Sequence, residues 1–190
     1  MNSILEETAK ALERRGYDVK IADNRQAALS FVLKEAENAD CVGWGGSESV
    51  KDIGAREALE NSGKEIRDHQ LVMDLFLLSA NALTKDGRIV NIDGRGNRIA
   101  ASINGPKEVL YVIGRNKIVD GGIDAAIARI KEKACPPNCR RLGKKTPCAI
   151  TGKCADCDSP DRICKVTAIF DRKPTGLNVK VLLVDDDLGY

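Results

Sequence analysis

The chain has 190 residues, a net charge of +2, 43% apolar and 31% charged residues, and only 4% aromatics. That length suits a single domain over residues 1–190, the composition is that of an ordinary globular protein rather than a disordered one, and the core falls to Ile, Leu, Val and Ala. So small a charge with so few aromatics argues against a nucleic-acid partner, and no apolar run approaches the ~18 residues that cross a bilayer, so no membrane partner is expected.

Ser3 with Glu6 has the form of a capping box, and Ile4, Leu5, Ala9 and Leu12 share one helical face, so a first helix is predicted up to Gly16. "YDVKIA" (17–22) alternates as a strand. Asp23 with Gln26 offers a second capping box before "AALSFVLKEA", and "DCVGW" (40–44) is a second strand. A third helix is predicted through "GGSESVKDIGAREALENSG", closed by Gly63. Strand–helix alternation with short connections predicts right-handed crossovers and a parallel sheet.

Further on, "DLFLLSANALT" (74–84) begins as a continuous apolar run of the kind a buried strand needs. "KDGR" (85–88) reads as a turn and "IVNID" (89–93) as another strand. "NRIAASI" is predicted as a short helix before Gly105-Pro106, and "EVLYVIG" (108–114) as a buried strand. Asp120 is placed to cap "GGIDAAIARIKEKA". After an irregular insert of about thirty residues, "KVTAIFDR" and "LNVKVLLVDDD" are predicted as two strands joined by a "KPTG" turn.

Two glycine-rich turns lie between a strand and a helix. In "GWGGSES" (43–49), Gly45 and Gly46 allow close backbone approach, Ser47 and Ser49 offer hydroxyls, and free amides at a helix start favour an anion. The Gly-Lys-Ser/Thr ending of a P-loop is missing, and the plain alternative is a tight turn with a serine cap. In "NIDGRGNR" (91–98), Asn91, Asp93 and Asn97 surround Gly94 and Gly96. Asp93 is the candidate acid or base; Arg95 and Arg98 can meet a carboxylate, although solvated surface charge is the expected state of Arg98. A small anionic metabolite is the expected ligand. His69, the single histidine, is read as packing or surface.

The charged start "MNSILEETAKALERR" lacks the apolar centre of a secretory signal, so a cytoplasmic location is expected, where thiols stay reduced. Seven cysteines, an odd number, also suit a metal site better than complete pairing. Cys148, Cys154, Cys157 and Cys164 form C-x5-C-x2-C-x6-C, a candidate metal-ligand set, with Lys153, Arg162 and Lys165 nearby to favour thiolates. A single close knuckle leans toward an iron–sulfur cluster, 4Fe–4S favoured, over zinc. Cys135 and Cys139 stay open as a ligand, a redox pair or loop residues, and Cys41 reads as core.

"GWGGSESVKDIG", "LSANALTKDGRIVNIDGRGNRIAASINGPKEVLYVIGRNKIV" and "RLGKKTPCAITGKCADCDSPDRIC" together resemble the lactate-utilisation (LUD, formerly DUF162) domain family, closest to its small, cysteine-bearing, stand-alone members. The resemblance implies an α/β, Rossmann-like three-layer fold of the NagB/RpiA/CoA-transferase group. It also implies a redox setting in the use of lactate or a related hydroxy or keto acid, beside iron–sulfur or flavin subunits. Carried over by position, the substrate-binding candidates are Gly45, Gly46, Ser47, Asn81, Asn91, Gly94, Gly96 and Asn97, with Asp93 as the catalytic candidate. Members of the family carry a longer stretch where this chain has "EIRDHQLVMDLF" (65–76), so the pocket is expected to be trimmed or completed by another subunit, as in a homo-oligomer. The alternatives are a metabolite-sensing module with structural zinc, and acyl or phosphosugar chemistry with Asp93 or Glu48 as base.

Overall fold

A computed structural model describes residues 2–68 and 71–190; His69 lies outside the described residues. The first half runs α1 (Ser3–Arg14), β1 (Asp18–Ala22), α2 (Arg25–Glu35), β2 (Cys41–Trp44), α3 (Glu48–Asp52), α4 (Ala55–Asn61), β3 (Glu65–Asp68), β4 (Leu75–Leu78), β5 (Ala82–Thr84) and β6 (Ile89–Asp93). The second half runs α5 (Asn97–Ala101), β7 (Glu108–Gly114), β8 (Ile118–Val119), α6 (Ile123–Arg129), a π-helical turn (Ile130–Ala134), α7 (Cys135–Arg141), α8 (Pro147–Thr151), β9 (Val166–Phe170) and β10 (Asn178–Val184).

Six strands form one parallel sheet in the order β1-β10-β7-β4-β2-β3. Strand periodicity sorts its side chains to two faces. Phe76, Leu78, Val109, Tyr111 and Ile113 pack with Leu5 and Leu12 of α1 and with Leu83, Ile89 and Phe170 of a second sheet. Leu75, Leu77, Leu110 and Val112 face the other way, onto Ala28, Val32, Val50 and Leu59 of α2, α3 and α4. The second sheet, β8-β5-β6-β9, is mixed, and α6 with the π-helical turn covers its far side through Ala126, Ile130 and Ala134. The α/β class and the parallel sheet are as the sequence predicts.

Several details differ. The caps are Asn2, which accepts from the Ile4 amide at 3.2 Å, and Asn24, which accepts from the Ala27 amide at 2.9 Å. Both asparagines have extended backbone, so they, rather than Ser3 and Asp23, are the last residues outside their helices. The helix expected over 45–63 breaks at Gly54, whose φ of 74° ends one helix and begins another. The run 74–84 is two strands in different sheets, separated at Ser79–Asn81.

The last two strands do not form a hairpin either: β9 pairs with β6 in the small sheet, while β10 inserts between β1 and β7. Asp120 does not cap α6, which starts after Gly122 with no side-chain cap. The insert over 135–164 is partly helical, carrying α7 and α8. Strand β3, on the sheet edge, and the two-residue β8 carry too little apolar pattern to be read from sequence.

Candidate functional site

Strand β2 ends in the first glycine turn, at the carboxyl edge of the parallel sheet. The Gly45 amide donates to the Leu77 carbonyl at 3.2 Å, extending the ladder by one rung. A Cβ at Gly45 would sit 3.1 Å from the Phe76 ring and 3.3 Å from the Leu78 Cβ, so a side chain fits there only if these neighbours give way. Gly46 has a φ of 67° and open space around it. Ser47 caps α3 by accepting from the Val50 amide at 3.4 Å. That helix has only five residues, so its dipole is too short to hold an anion by itself. The electrostatics come from elsewhere.

The second turn organises a buried polar knot. Asp93 is 7% exposed and accepts from Arg98 Nε at 2.9 Å, from Arg98 Nη2 at 2.5 Å and from the Ile99 amide at 2.9 Å. Arg98 is therefore not solvated surface charge; burial of Asp93 at the strand end draws the guanidinium inward. Asn81 Oδ1 accepts from Arg98 Nη2 at 2.7 Å and from the Ile92 amide at 2.9 Å, while Asn91 Oδ1 accepts from the Asn81 amide at 2.8 Å. The side chains of Asn81 and Asn91 thus fasten the gap between β4 and β5 to β6.

Two further cations were not singled out in the sequence. Lys117 is 5% exposed, and its Nζ donates to Ser49 Oγ at 2.7 Å and Ser79 Oγ at 3.2 Å. Burial lowers its amine to about 7, with repulsion from Arg129 and then Arg98 adding to the effect and Asp52 opposing it. Arg129 donates to the carbonyls of Asn116 at 2.8 Å and Asn81 at 2.8 Å, and burial depresses its basicity too. Among the described residues, neither cation has a carboxylate partner. The rule that ligands gather at carboxyl strand ends, followed past β7 as it was past β2, leads directly to residues 115–117. Arg129 gives no such signal, because it sits within a charged amphipathic helix.

The cysteine segment forms the opposite wall. Cys135 and Cys139 lie four residues apart on α7, both buried, and all seven cysteines are free thiols. Burial pushes the Cys135 thiol up to about 12, and Cys164, Cys139, Cys154 and Cys148 lie close enough to push it further. Burial pushes the Cys139 thiol up to about 11, partly offset by Thr146; a hydrogen bond to Cys148 adds to the rise. Arg162 pins the loop by donating to the carbonyls of Cys157 at 2.8 Å and Cys164 at 2.9 Å. Five soft donors in one neighbourhood suit a thiolate-bound metal in chemistry. Yet among the described residues no three His, Cys, Asp or Glu side chains already converge on one ion position.

Between the walls lies a cleft of about 530 Å³. It is lined by Gly45, Gly46, Ser47, Asn81, Asp93, Gly94 and Asn97 of the sequence candidates. Gly96 and the fully buried Asn91 do not line it, and of the cysteines only Cys135 does. Lys117 lines the sheet side; Asn138, Arg141, Leu142, Lys144 and Ile163 line the other. A Cβ at Gly94 would meet the Ile163 carbonyl at 3.2 Å, and the Lys165 amide donates to the Asp93 carbonyl at 2.9 Å. Arg141 reaches Glu48 at 3.5 Å. The insert is thereby held against both glycine turns. No described helix is long and apolar enough to cross a membrane.

A search of the curated proteins found no match. A DUF162 family protein from Deinococcus radiodurans is similar over 95% of this chain and 96% of its own, at 14% identity and a TM-score of 0.58, which shows a shared fold. Ribose 5-phosphate isomerase from Plasmodium falciparum aligns over 65% of this chain and 55% of its own at 15% identity; its TM-score of 0.28 is too low to carry an argument. The profile of the LUD domain matches residues 5–69 and 59–184, nearly the whole length, and the chain therefore belongs to the LUD domain family.

Proposed function

We propose that this protein binds a small anionic hydroxy or keto acid, lactate or a relative, and serves its oxidation or reduction as an enzyme or enzyme subunit. One observation carries this reading: the floor of the cleft holds Lys117, with Arg129 close behind it, and neither cation meets a carboxylate from the described chain. A buried charge without a counter-ion is costly, and a ligand carboxylate supplies what the fold withholds. Arg98 is already engaged by Asp93, so it orients rather than neutralises. With both Asp93 oxygens accepting hydrogen bonds, a positioning role for this carboxylate is favoured over that of a free base.

The thiols of the opposite wall would hold an iron–sulfur cluster through Cys148, Cys154, Cys157 and Cys164, with Cys135 a competing ligand because Cys148, Cys154 and Cys164 lie close to it. Such a cluster supplies one-electron transfer when bound. The chain itself binds the acid, excludes water and positions it against Lys117. A flavin or further iron–sulfur subunit as electron partner, and a second copy of the chain completing the pocket, belong to the same proposal.

Anaerobic purification tests the metal: a brown protein containing iron and acid-labile sulfide is expected, with the iron lost in Cys154→Ser. Colourless protein holding stoichiometric zinc would instead support a metabolite-sensing module. Calorimetry with lactate and pyruvate tests the cleft. Binding that weakens at least about tenfold in Lys117→Met, equivalent to about 1.4 kcal/mol, is expected.

A further inference from the structure

We propose that Lys117 is a carbonyl-reactive residue, whose Nζ forms a Schiff base with a small oxo acid held in the cleft; the idea rests on the anion-binding reading above. Lys117 ends the 3-10 turn Arg115–Lys117 between β7 and β8, lining the cleft, with only hydroxyls as its hydrogen-bond partners among the described residues. Two of the three non-carbon positions of Nζ are directed to Ser49 Oγ at 2.7 Å and Ser79 Oγ at 3.2 Å. The third is left for a lone pair or a proton.

The charges acting on the amine come from three elements. Arg129 of α6 and Arg98 of α5 oppose its protonation and Asp52 of α3 favours it, Arg98 being itself paired with Asp93. Asp52 is occupied in turn, accepting from the Gly189 amide at 2.7 Å. A desolvated lysine beside other cations is the arrangement that makes an amine nucleophilic near neutral pH. The Ser49 hydroxyl is oriented, donating to the Leu188 carbonyl at 3.2 Å.

The step balances without an oxidant or a reductant. The Nζ lone pair attacks the carbonyl carbon, giving a carbinolamine. The former carbonyl oxygen then takes one proton shed by the nitrogen and one from solvent and leaves as water, and the nitrogen electrons close the C=N bond of a protonated imine, while Ser49 and Ser79 hold the amine in place. The oxo-acid carboxylate meanwhile offsets the positive charge of the imine formed and of Arg129 behind it.

The test is reductive trapping of the whole protein at neutral pH. Pyruvate or glyoxylate is added with borohydride, and the adduct is located by peptide mass spectrometry. The expected result is one adduct on Lys117, enriched about tenfold or more over any exposed lysine, because its free-amine fraction is the larger at that pH. Capture should fall as the medium is acidified. The double variant Ser49→Ala/Ser79→Ala, which keeps the lysine, should trap several-fold more slowly. Adducts spread over exposed lysines with Lys117 unmodified overturn the assignment, and the unaltered protein gives that result even if Lys117→Met folds poorly. Calorimetric binding of pyruvate without an adduct overturns the covalent step and leaves the anion-binding cleft standing. Neither binding nor adduct overturns both.

Discussion

The two walls of the cleft are built by different physics. On the sheet side, β4 and β7 are buried on both faces, and Leu77, Leu78, Leu110 and Ile113 have 0% exposure. Every strand there has a hydrogen-bonded neighbour, and the wall is complete without a ligand. On the cysteine side, residues 152–164 contain no strand or helix, and the chain is held by arginines donating to carbonyls. The first wall holds its shape through burial and can tolerate an uncompensated lysine at its rim. The second carries free thiols along an irregular chain, which in the proposed reading an ion would gather.

The largest expected effect lies in the sheet wall. Leu110→Ala, between two packed layers, should lower stability by about 4 kcal/mol in denaturant unfolding; a loss below about 1 kcal/mol would break the contrast between the walls. Asp93→Asn should cost about 3 kcal/mol by leaving the Arg98 guanidinium buried without its carboxylate. It should also weaken acid binding, because Arg98 would no longer be held at the cleft.

Lys117→Met has the opposite sign. With its desolvated amine gone, the unliganded protein should gain about 2 kcal/mol at neutral pH while losing its affinity for acids. A pH series sharpens this point. The unfolded chain keeps the lysine proton to its ordinary value of 10.5, whereas the folded chain releases it near 7. Between those limits the unfolded state binds more protons, so stability should rise with pH across that window. In Lys117→Met this contribution to the slope should vanish.

Smaller effects probe the other wall. Gly94→Ala should cost about 1 kcal/mol as its new methyl presses on the Ile163 carbonyl. Cys154→Ser should change the metal-free protein by under about 0.5 kcal/mol, while removing most bound iron from the loaded protein. A large loss of metal-free stability there would mean that the cysteine wall holds itself together after all.

Much of the body was legible from local pattern. The continuous apolar runs in "EVLYVIG" and "DLFLL" specify strands buried on both faces, because each face of the sheet meets its own apolar layer. The break after Leu78 was not, since Ser79, Ala80 and Asn81 interrupt apolarity too briefly to show that the chain changes sheets. The hairpin expected at 173–176 failed for a similar reason: a turn signature names the turn, and the partner of each strand depends on which edges the rest of the chain has left open.

For the site, the residues of both glycine turns were within reach, because glycine and asparagine between a strand and a helix mark close backbone approach. Membership of the LUD family was readable too, from the order of motifs along the chain. What local sequence determines is conformation and apolar face, which depend on neighbours a few positions away. What the tertiary structure alone decided is partnership: Arg98 finding Asp93, Lys117 finding two serines and no described acid, and Cys135 joining thiols up to 29 residues away at Cys164. A side chain's charge, affinity and reactivity depend on what surrounds it after the chain has closed, and no window of sequence contains that.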